Sequence, residues 1–127
     1  MSVSFNAHSG LILVQAEVEG PYGCAPLTLA LDTGARRTLI QEAILLMLGY
    51  DPSLSSLRVP IVTASNTLSV PELPVVRVSA LGQDRLAFPV LVHTLPPSIS
   101  FHGLLGLDFL RALTLNIDFR TGLIDLI

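Results

Sequence analysis

The chain has 127 residues, of which half are apolar and 13% are charged, and its formal net charge is −3 at pH 7. This length suits one domain with a hydrophobic core, so we expect a single domain over residues 1–127, and the apolar content excludes a disordered tail. Basic residues are few and scattered apart from Arg36-Arg37, so nothing indicates a nucleic-acid-binding surface and we expect no nucleic-acid partner.

Cysteine and histidine usage argues against a metal centre or a disulfide scaffold. Cys24 is the single cysteine, so no internal disulfide is possible and a reducing compartment is favoured. The residues His8, His93 and His102 stand apart, so we expect no metal and no cofactor. We predict no signal peptide and no membrane span, and therefore a cytoplasmic protein or the soluble domain of a larger or membrane-anchored one.

The first part of the chain predicts a β-hairpin. The apolar run at residues 11–14 leads into Ala16 and Val18 with polar residues between them, and the leucines at 27, 29 and 31 alternate with smaller residues. A Gly-Pro-Tyr-Gly turn at 20–23 separates the two segments. The second strand runs directly into Asp32, which is followed by a threonine and a glycine. The hairpin therefore places Asp32 at a strand end.

A helix is predicted next, over residues 39–48, where apolar residues recur at helical spacing. Thr38 and Gln41 have the spacing of a capping box at its start. Gly49 ends the helix, and Pro52 prevents any continuation.

The remainder of the chain predicts mainly strands. We expect strands at 57–64, 68–80 and 85–92, a short helix at 107–113, and a closing hairpin at 115–119 and 123–127. Within the middle strands, Pro60, Pro71, Pro74 and Pro89 favour edge strands or bulges. The sum is a small, mostly antiparallel β protein with two short helices.

The Asp32-Thr33-Gly34 turn fits the chemistry of aspartic proteolysis. That reaction needs two carboxylates so close together that they share one proton. The ionised carboxylate activates water, and the protonated one polarises the peptide carbonyl. A hydroxyl residue after the aspartate pins the turn, and a following glycine lets substrate backbone approach. By itself the tripeptide is also compatible with a generic turn.

Further segments accompany this turn in a fixed order. Residues 27–35 read LTLALDTGA, residues 62–70 read VTASNTLSV, residues 103–110 read GLLGLDFL, and residues 113–127 read LTLNIDFRTGLIDLI. Together with the helical segment ending in Leu-Gly, they resemble the retropepsin family of aspartic proteases and its single-domain relatives. The resemblance covers nearly the whole chain and implies a small closed antiparallel β-barrel of retropepsin type with a flap hairpin.

The resemblance also implies an aspartic endopeptidase and assigns roles to the turn. Asp32 would be the catalytic aspartate, and Thr33 would join a hydroxyl network with its twin across a dimer axis. Gly34 would hydrogen-bond substrate backbone, and Ala35 would flank the site.

Two other segments receive roles in the same way. The flap tip, which closes over substrate, would consist of Thr63, Ala64, Ser65, Asn66 and Thr67. Leu104, Leu105 and Gly106 would form a loop behind the active turn, with Leu105 lining a pocket. The family usually has a glycine near the flap tip, where this chain has Ser65-Asn66, so a different flap shape is expected.

A single Asp-Thr-Gly turn in one domain predicts a homodimer that acts on a peptide or protein substrate, because a two-fold axis would bring two copies of Asp32 together. The resemblance implies that residues 122–127 join an intersubunit sheet. We hypothesise that Arg36 or Arg37 pairs with Asp108, against the alternative of two solvated arginines.

Other functions remain open at this point. The main alternative is a catalytically inactive domain of the same fold, used for dimerisation or peptide binding. A phosphoaspartyl enzyme is disfavoured because its Asp-Lys-Thr-Gly-Thr pattern is not met. A plain β-barrel interaction module with a chance motif is disfavoured by the ordered set of segments.

Overall fold

The fold comprises ten β-strands, two short α-helices and one 3-10 turn in a computed structural model that describes residues 2–127. The strands are β1 (Ser2–Ser4), β2 (Leu13–Gly20), β3 (Gly23–Leu31), β4 (Leu39–Gln41), β5 (Arg58–Val62), β6 (Thr67–Ala80), β7 (Gln83–His93), β8 (Gly103–Leu105), β9 (Leu115–Asp118) and β10 (Leu123–Leu126). The helices are α1 (Glu42–Met47) and α2 (Leu107–Leu110), and the 3-10 turn is Pro52–Leu54. Within residues 2–127, neither helix is long and apolar enough to cross a membrane.

Six strands close into a barrel. Their order is β2-β3-β8-β4-β7-β6, and an antiparallel pairing of β2 with β6 completes the circle. Two pairings are parallel, namely β3 with β8 and β4 with β7. The predicted closed, mostly β architecture with two short helices is confirmed, and the barrel is mixed rather than wholly antiparallel.

The β2–β3 hairpin forms because its pattern has the period of a half-buried strand. Val14, Ala16 and Val18 are buried, whereas Gln15 and Glu17 between them are exposed. Alternate side chains of a strand point to opposite faces, so this pattern sets one face against the barrel core. The hairpin register is continuous along its whole length.

The predicted helix at 39–48 is only partly correct. Its first residues form β4, which pairs with both β7 and β8, and α1 starts at Glu42. The N-cap residue is Gln41, whose side chain makes no capping hydrogen bond, so the predicted capping box is wrong. Gly49 ends the helix as expected, with φ at +95°.

The second helix is also shorter than predicted. It ends at Leu110, and Ala112 has φ at +68°, a conformation that cannot continue a right-handed helix. The strand predictions in the middle of the chain agree closely with the observed β5, β6 and β7.

The prolines occupy both edge and interior positions. Pro60 lies in β5, an edge strand outside the barrel, as expected. Pro71 lies where β6 changes partner from β5 to β7. The expectation of an edge strand is wrong for Pro74 and Pro89, which lie opposite each other in the interior β6–β7 pair. Because neither residue has an N–H, their pairing leaves no strand donor without a partner at this point.

A separate three-stranded sheet forms from the two ends of the chain. Its order is β1-β10-β9, so β10 is the central strand, with β1 on one side and β9 on the other. Both edges of β10 are therefore occupied in the folded chain. The expectation that residues 122–127 join an intersubunit sheet stays a prediction, and a partner strand would have to pair with the outer edge of β1 or β9 rather than with β10 itself.

Gly103 lies at a close approach of two barrel strands, and its substitution is a test of the fold. A Cβ at this position would overlap the carbonyl oxygen of Leu39 across the β4–β8 pair. We expect Gly103→Ala to lower the free energy of unfolding by about 2–3 kcal/mol, as overpacking against backbone does. Urea denaturation would measure the change. Gly10→Ala is the matched control, because nothing lies within 4 Å of its added Cβ, and an equal loss in both variants would contradict the prediction.

Candidate active site

Asp32 lies immediately after β3, on a turn that holds both its backbone and its carboxylate. The backbone N–H of Asp32 donates to the carbonyl of Leu105 at 3.0 Å. Its Oδ1 accepts the backbone N–H of Gly34 at 2.9 Å, and its carbonyl accepts the N–H of Ala35 at 3.1 Å. The carboxylate is thus oriented by the turn while its residue remains half-exposed.

The segment from Leu105 to Asp108 packs directly behind this turn. The N–H of Leu107 donates to the carbonyl of Ala35 at 2.9 Å, and the N–H of Asp108 donates to that of Arg36 at 3.2 Å. A Cβ on Gly106 would lie 2.7 Å from the carbonyl oxygen of Arg37. Only glycine allows this approach, so Gly106 lies directly behind the turn.

Asp108 and Thr38 form a hydrogen-bonded pair, the Asp108–Thr38 lock, which joins residues 105–108 to the residues that follow the Asp32 turn. Thr38 is 0% exposed. The carboxylate of Asp108 accepts its hydroxyl at 2.8 Å and its backbone N–H at 2.9 and 3.0 Å. The same carboxylate accepts the N–H of Phe109 at 2.9 Å, and the Thr38 hydroxyl accepts the N–H of Gly106 at 3.2 Å. Every polar group of the lock therefore has a partner.

The hypothesis of an arginine pair to Asp108 is confirmed for Arg37. Its Nε lies 3.5 Å from Oδ2 of Asp108, and its Nη1 lies 3.0 Å from Oε2 of Glu72. Its Nη2 donates to the carbonyl of Pro89 at 3.4 Å. Arg37 thus ties the segment behind the turn to β6 and β7, whereas Arg36 is exposed.

An open, mainly apolar cleft of about 880 Å³ lies in front of the Asp32 turn. It is lined by Asp32, Gly34, Ala35, Arg36, Arg37, Leu39, Val59, Pro60, Ile61, Val62, Thr63, Leu91, His93, Leu95 and Leu104. Among these residues Asp32 is the only carboxylic acid. A pair of carboxylates at this cleft would therefore need a second acid from outside these lining residues.

The β5–β6 hairpin forms one wall of the cleft, and Thr63 holds its tip. The N–H of Thr63 donates to the carbonyl of Asn66 at 2.8 Å, and its hydroxyl contacts the Asn66 carbonyl and side-chain oxygens at 2.9 Å each. Neither Ser65 nor Asn66 has a positive φ, so a side-chain hydroxyl closes this turn without a glycine.

The remaining predicted site residues fall at different distances from the cleft. Thr33 is exposed on the turn but does not line the cleft, and Ala64, Ser65, Asn66 and Thr67 are exposed at the hairpin tip outside it. Leu105 is 0% exposed and belongs to the core, so the prediction that it lines a pocket is wrong. Leu104 lines the cleft instead, because neighbouring residues of β8 point to opposite faces.

Sequence reasoning missed Thr38 as part of the site and assigned it to a helix cap. It also missed His93, which is half-buried at the cleft, and Glu72, which forms an ion pair with Arg37. None of these three residues forms a recognisable sequence motif with Asp32. Their placement depends on strand pairings that join distant parts of the chain.

Comparison with known protein families gives a match over most of the chain. A sequence model of the family described as aspartyl protease matches residues 14–109, which span most of the chain. The chain therefore belongs to the aspartyl protease family.

A solved structure shows a similar fold. The retropepsin-like aspartic protease from Rickettsia conorii is 20% identical, with a TM-score of 0.72 over 99% of this chain and 88% of that one. This likeness supports the retropepsin-like barrel that the sequence predicted. No match was found among curated proteins.

Proposed function

We propose that this protein is an aspartic endopeptidase that acts as a homodimer, with one catalytic Asp32 in each subunit. The observation that carries the proposal is the position of Asp32, the single carboxylic acid among the lining residues of a large open cleft. Its turn is braced from behind by backbone hydrogen bonds to Leu105, Leu107 and Asp108. A rigid, half-exposed carboxylate at such a cleft suits general acid–base catalysis.

The need for a second carboxylate supports the dimer. One ionised carboxylate can take a proton from water, but the peptide carbonyl must also be polarised by an acid. Thr33 and Gly34 are exposed on the same turn, which leaves room for a symmetric copy to approach. A two-fold axis through this point would place two Asp32 side chains together, and the close pair would share one proton.

We assign the following steps to the pair. The ionised Asp32 removes a proton from a water molecule, whose oxygen attacks the peptide carbon. The protonated Asp32 of the other subunit donates to the carbonyl oxygen, which gives a tetrahedral diol. The Asp32 that took the water proton then gives it to the leaving nitrogen, while the other Asp32 takes a proton from a hydroxyl of the diol. The carbon–nitrogen bond breaks to give a carboxylic acid and an amine, and the pair again holds one proton.

The β5–β6 hairpin is proposed as the flap. Val59, Ile61 and Thr63 already line the cleft, so a peptide bound there would contact this hairpin along its length. The Thr63 hydroxyl, which closes the tip, would keep the turn rigid in place of the family's usual glycine. A flap that covers the substrate excludes water from the reacting groups.

The cellular location is proposed from cysteine chemistry. Cys24 is exposed and free. An exposed thiol persists most readily where glutathione keeps thiols reduced, which favours the cytoplasm.

The proposal is tested by measuring cleavage of an unfolded-protein or peptide pool against protein concentration, over roughly pH 4 to 7. We expect the rate per chain to rise with concentration and to level off where sedimentation shows a dimer, since only the dimer holds two carboxylates. A rate per chain that stays constant while the protein is monomeric would contradict the dimeric site. A dimer that cleaves nothing at any pH would favour the alternative of an inactive peptide-binding domain.

A further inference from the structure

One cationic side chain in the cleft has no neutralising partner. Arg36 lines the cleft and is exposed, and within residues 2–127 its side chain makes no hydrogen bond or ion pair. Only its backbone is engaged, because its carbonyl accepts the N–H of Asp108. The backbone of Arg36 is therefore fixed, and its guanidinium is available to bind an anion.

Its neighbour Arg37 is in the opposite situation. Glu72 and Asp108 neutralise its charge, and the carbonyl of Pro89 accepts a further hydrogen bond. The two adjacent arginines therefore differ: Arg37 is held by two carboxylates, whereas Arg36 is an exposed arginine without an ion pair among the residues that line the cleft.

The carboxylates near Arg36 indicate which chemical group of a ligand it would bind. Glu72 and Asp108 are occupied by Arg37, and Asp32, the carboxylate of the cleft, is oriented by the N–H of Gly34. An anion brought by a substrate would thus meet a guanidinium that does not have to break an existing ion pair. A guanidinium binds a carboxylate through two parallel hydrogen bonds, which gives direction as well as charge.

We propose that Arg36 is a specificity-determining residue that selects peptide substrates with an acidic side chain close to the scissile bond, an inference that rests on the proposed proteolytic function. The rest of the cleft is largely apolar, with Leu39, Leu91 and Leu104 among its lining residues. The preferred substrate class is therefore a peptide in which an aspartate or glutamate stands near large aliphatic residues.

The test uses pairs of fluorogenic peptides that are identical except for glutamate or glutamine at one position, scanned along the residues flanking the scissile bond. At one position we expect the wild type to prefer glutamate by about 5- to 10-fold in kcat/KM, mostly through KM, as for one charge-assisted contact. Arg36→Gln should abolish the preference, and Arg36→Glu should reverse it, so that the glutamine peptide is cleaved faster than the glutamate peptide. Raising the salt concentration should weaken the preference, which a purely structural role would not produce.

Arg120→Gln is the matched control, because Arg120 is an exposed arginine in the β9–β10 turn and does not line the cleft. Cleavage of both peptides at equal rates at every position would overturn the inference and leave the proteolytic function standing. Fluorescence anisotropy of the same peptides on Asp32→Asn gives a readout that does not need cleavage. A binding preference there without any cleavage by the wild type would keep Arg36 as the selector and refute the protease, whereas equal binding would overturn the role of Arg36.

Discussion

Asp32→Asn is expected to lower the rate of peptide cleavage by at least about 10²-fold, as removal of a general base does. The asparagine side chain has the same shape, and its oxygen can still accept the N–H of Gly34, so the turn should keep its geometry. An amide, however, cannot take a proton from water. The measurement is kcat/KM on a cleaved peptide, together with sedimentation to establish that the variant still forms a dimer.

Asp84→Asn is the matched control, since Asp84 is an exposed carboxylate in the β6–β7 hairpin and does not line the cleft. A second arm mixes wild-type chains with an excess of Asp32→Asn. If each dimer needs two carboxylates, subunit exchange should suppress the wild-type activity. Comparable cleavage by wild type and Asp32→Asn would remove Asp32 from the reaction, and activity unaffected by mixing would remove the shared site.

Asp108→Ala is expected to produce the largest loss of stability, about 3–5 kcal/mol. The substitution deprives the fully buried Thr38 of the acceptor for its N–H and its hydroxyl, and leaves Arg37 with one carboxylate instead of two. Unpaired polar groups in the interior cost their full desolvation. Guanidinium denaturation of the purified protein, analysed at fixed protein concentration, would measure the change.

Two variants separate the buried hydrogen bonds from the surface charge. Arg37→Gln removes the partly exposed ion pairs and leaves the lock between Asp108 and Thr38 intact, so we expect a loss of about 1 kcal/mol or less. Asp84→Ala removes an exposed carboxylate and should have a small effect. An Asp108→Ala variant as stable as Asp84→Ala would show that the hydrogen bonds between Asp108 and Thr38 do not stabilise the fold.

Local patterns account for most of the elements. The β2–β3 and β6–β7 hairpins were predictable because alternation along each strand decides which face is buried, and a turn between two such strands brings them together. The prediction of a helix at 39–48 was partly wrong. Residues 39–41 have helical spacing, but they form a strand that pairs with β7 and β8, which lie far away in the sequence. Helical propensity is a weak preference, and the tertiary pairing of residues 39–41 with two strands overrides it.

The features of the candidate site also divide into those that local sequence determines and those that tertiary pairing determines. By itself the sequence determined the Asp32 turn at a strand end, because that turn depends on neighbouring residues, whereas the loop behind the turn was expected only from the family resemblance. Only the tertiary structure decided that Leu104 rather than Leu105 faces the cleft, that Arg37 rather than Arg36 pairs with Asp108, and that Thr38 is the buried partner of Asp108. Thr38 and Asp108 lie 70 residues apart, and their contact exists because β4 and β8 pair in the barrel.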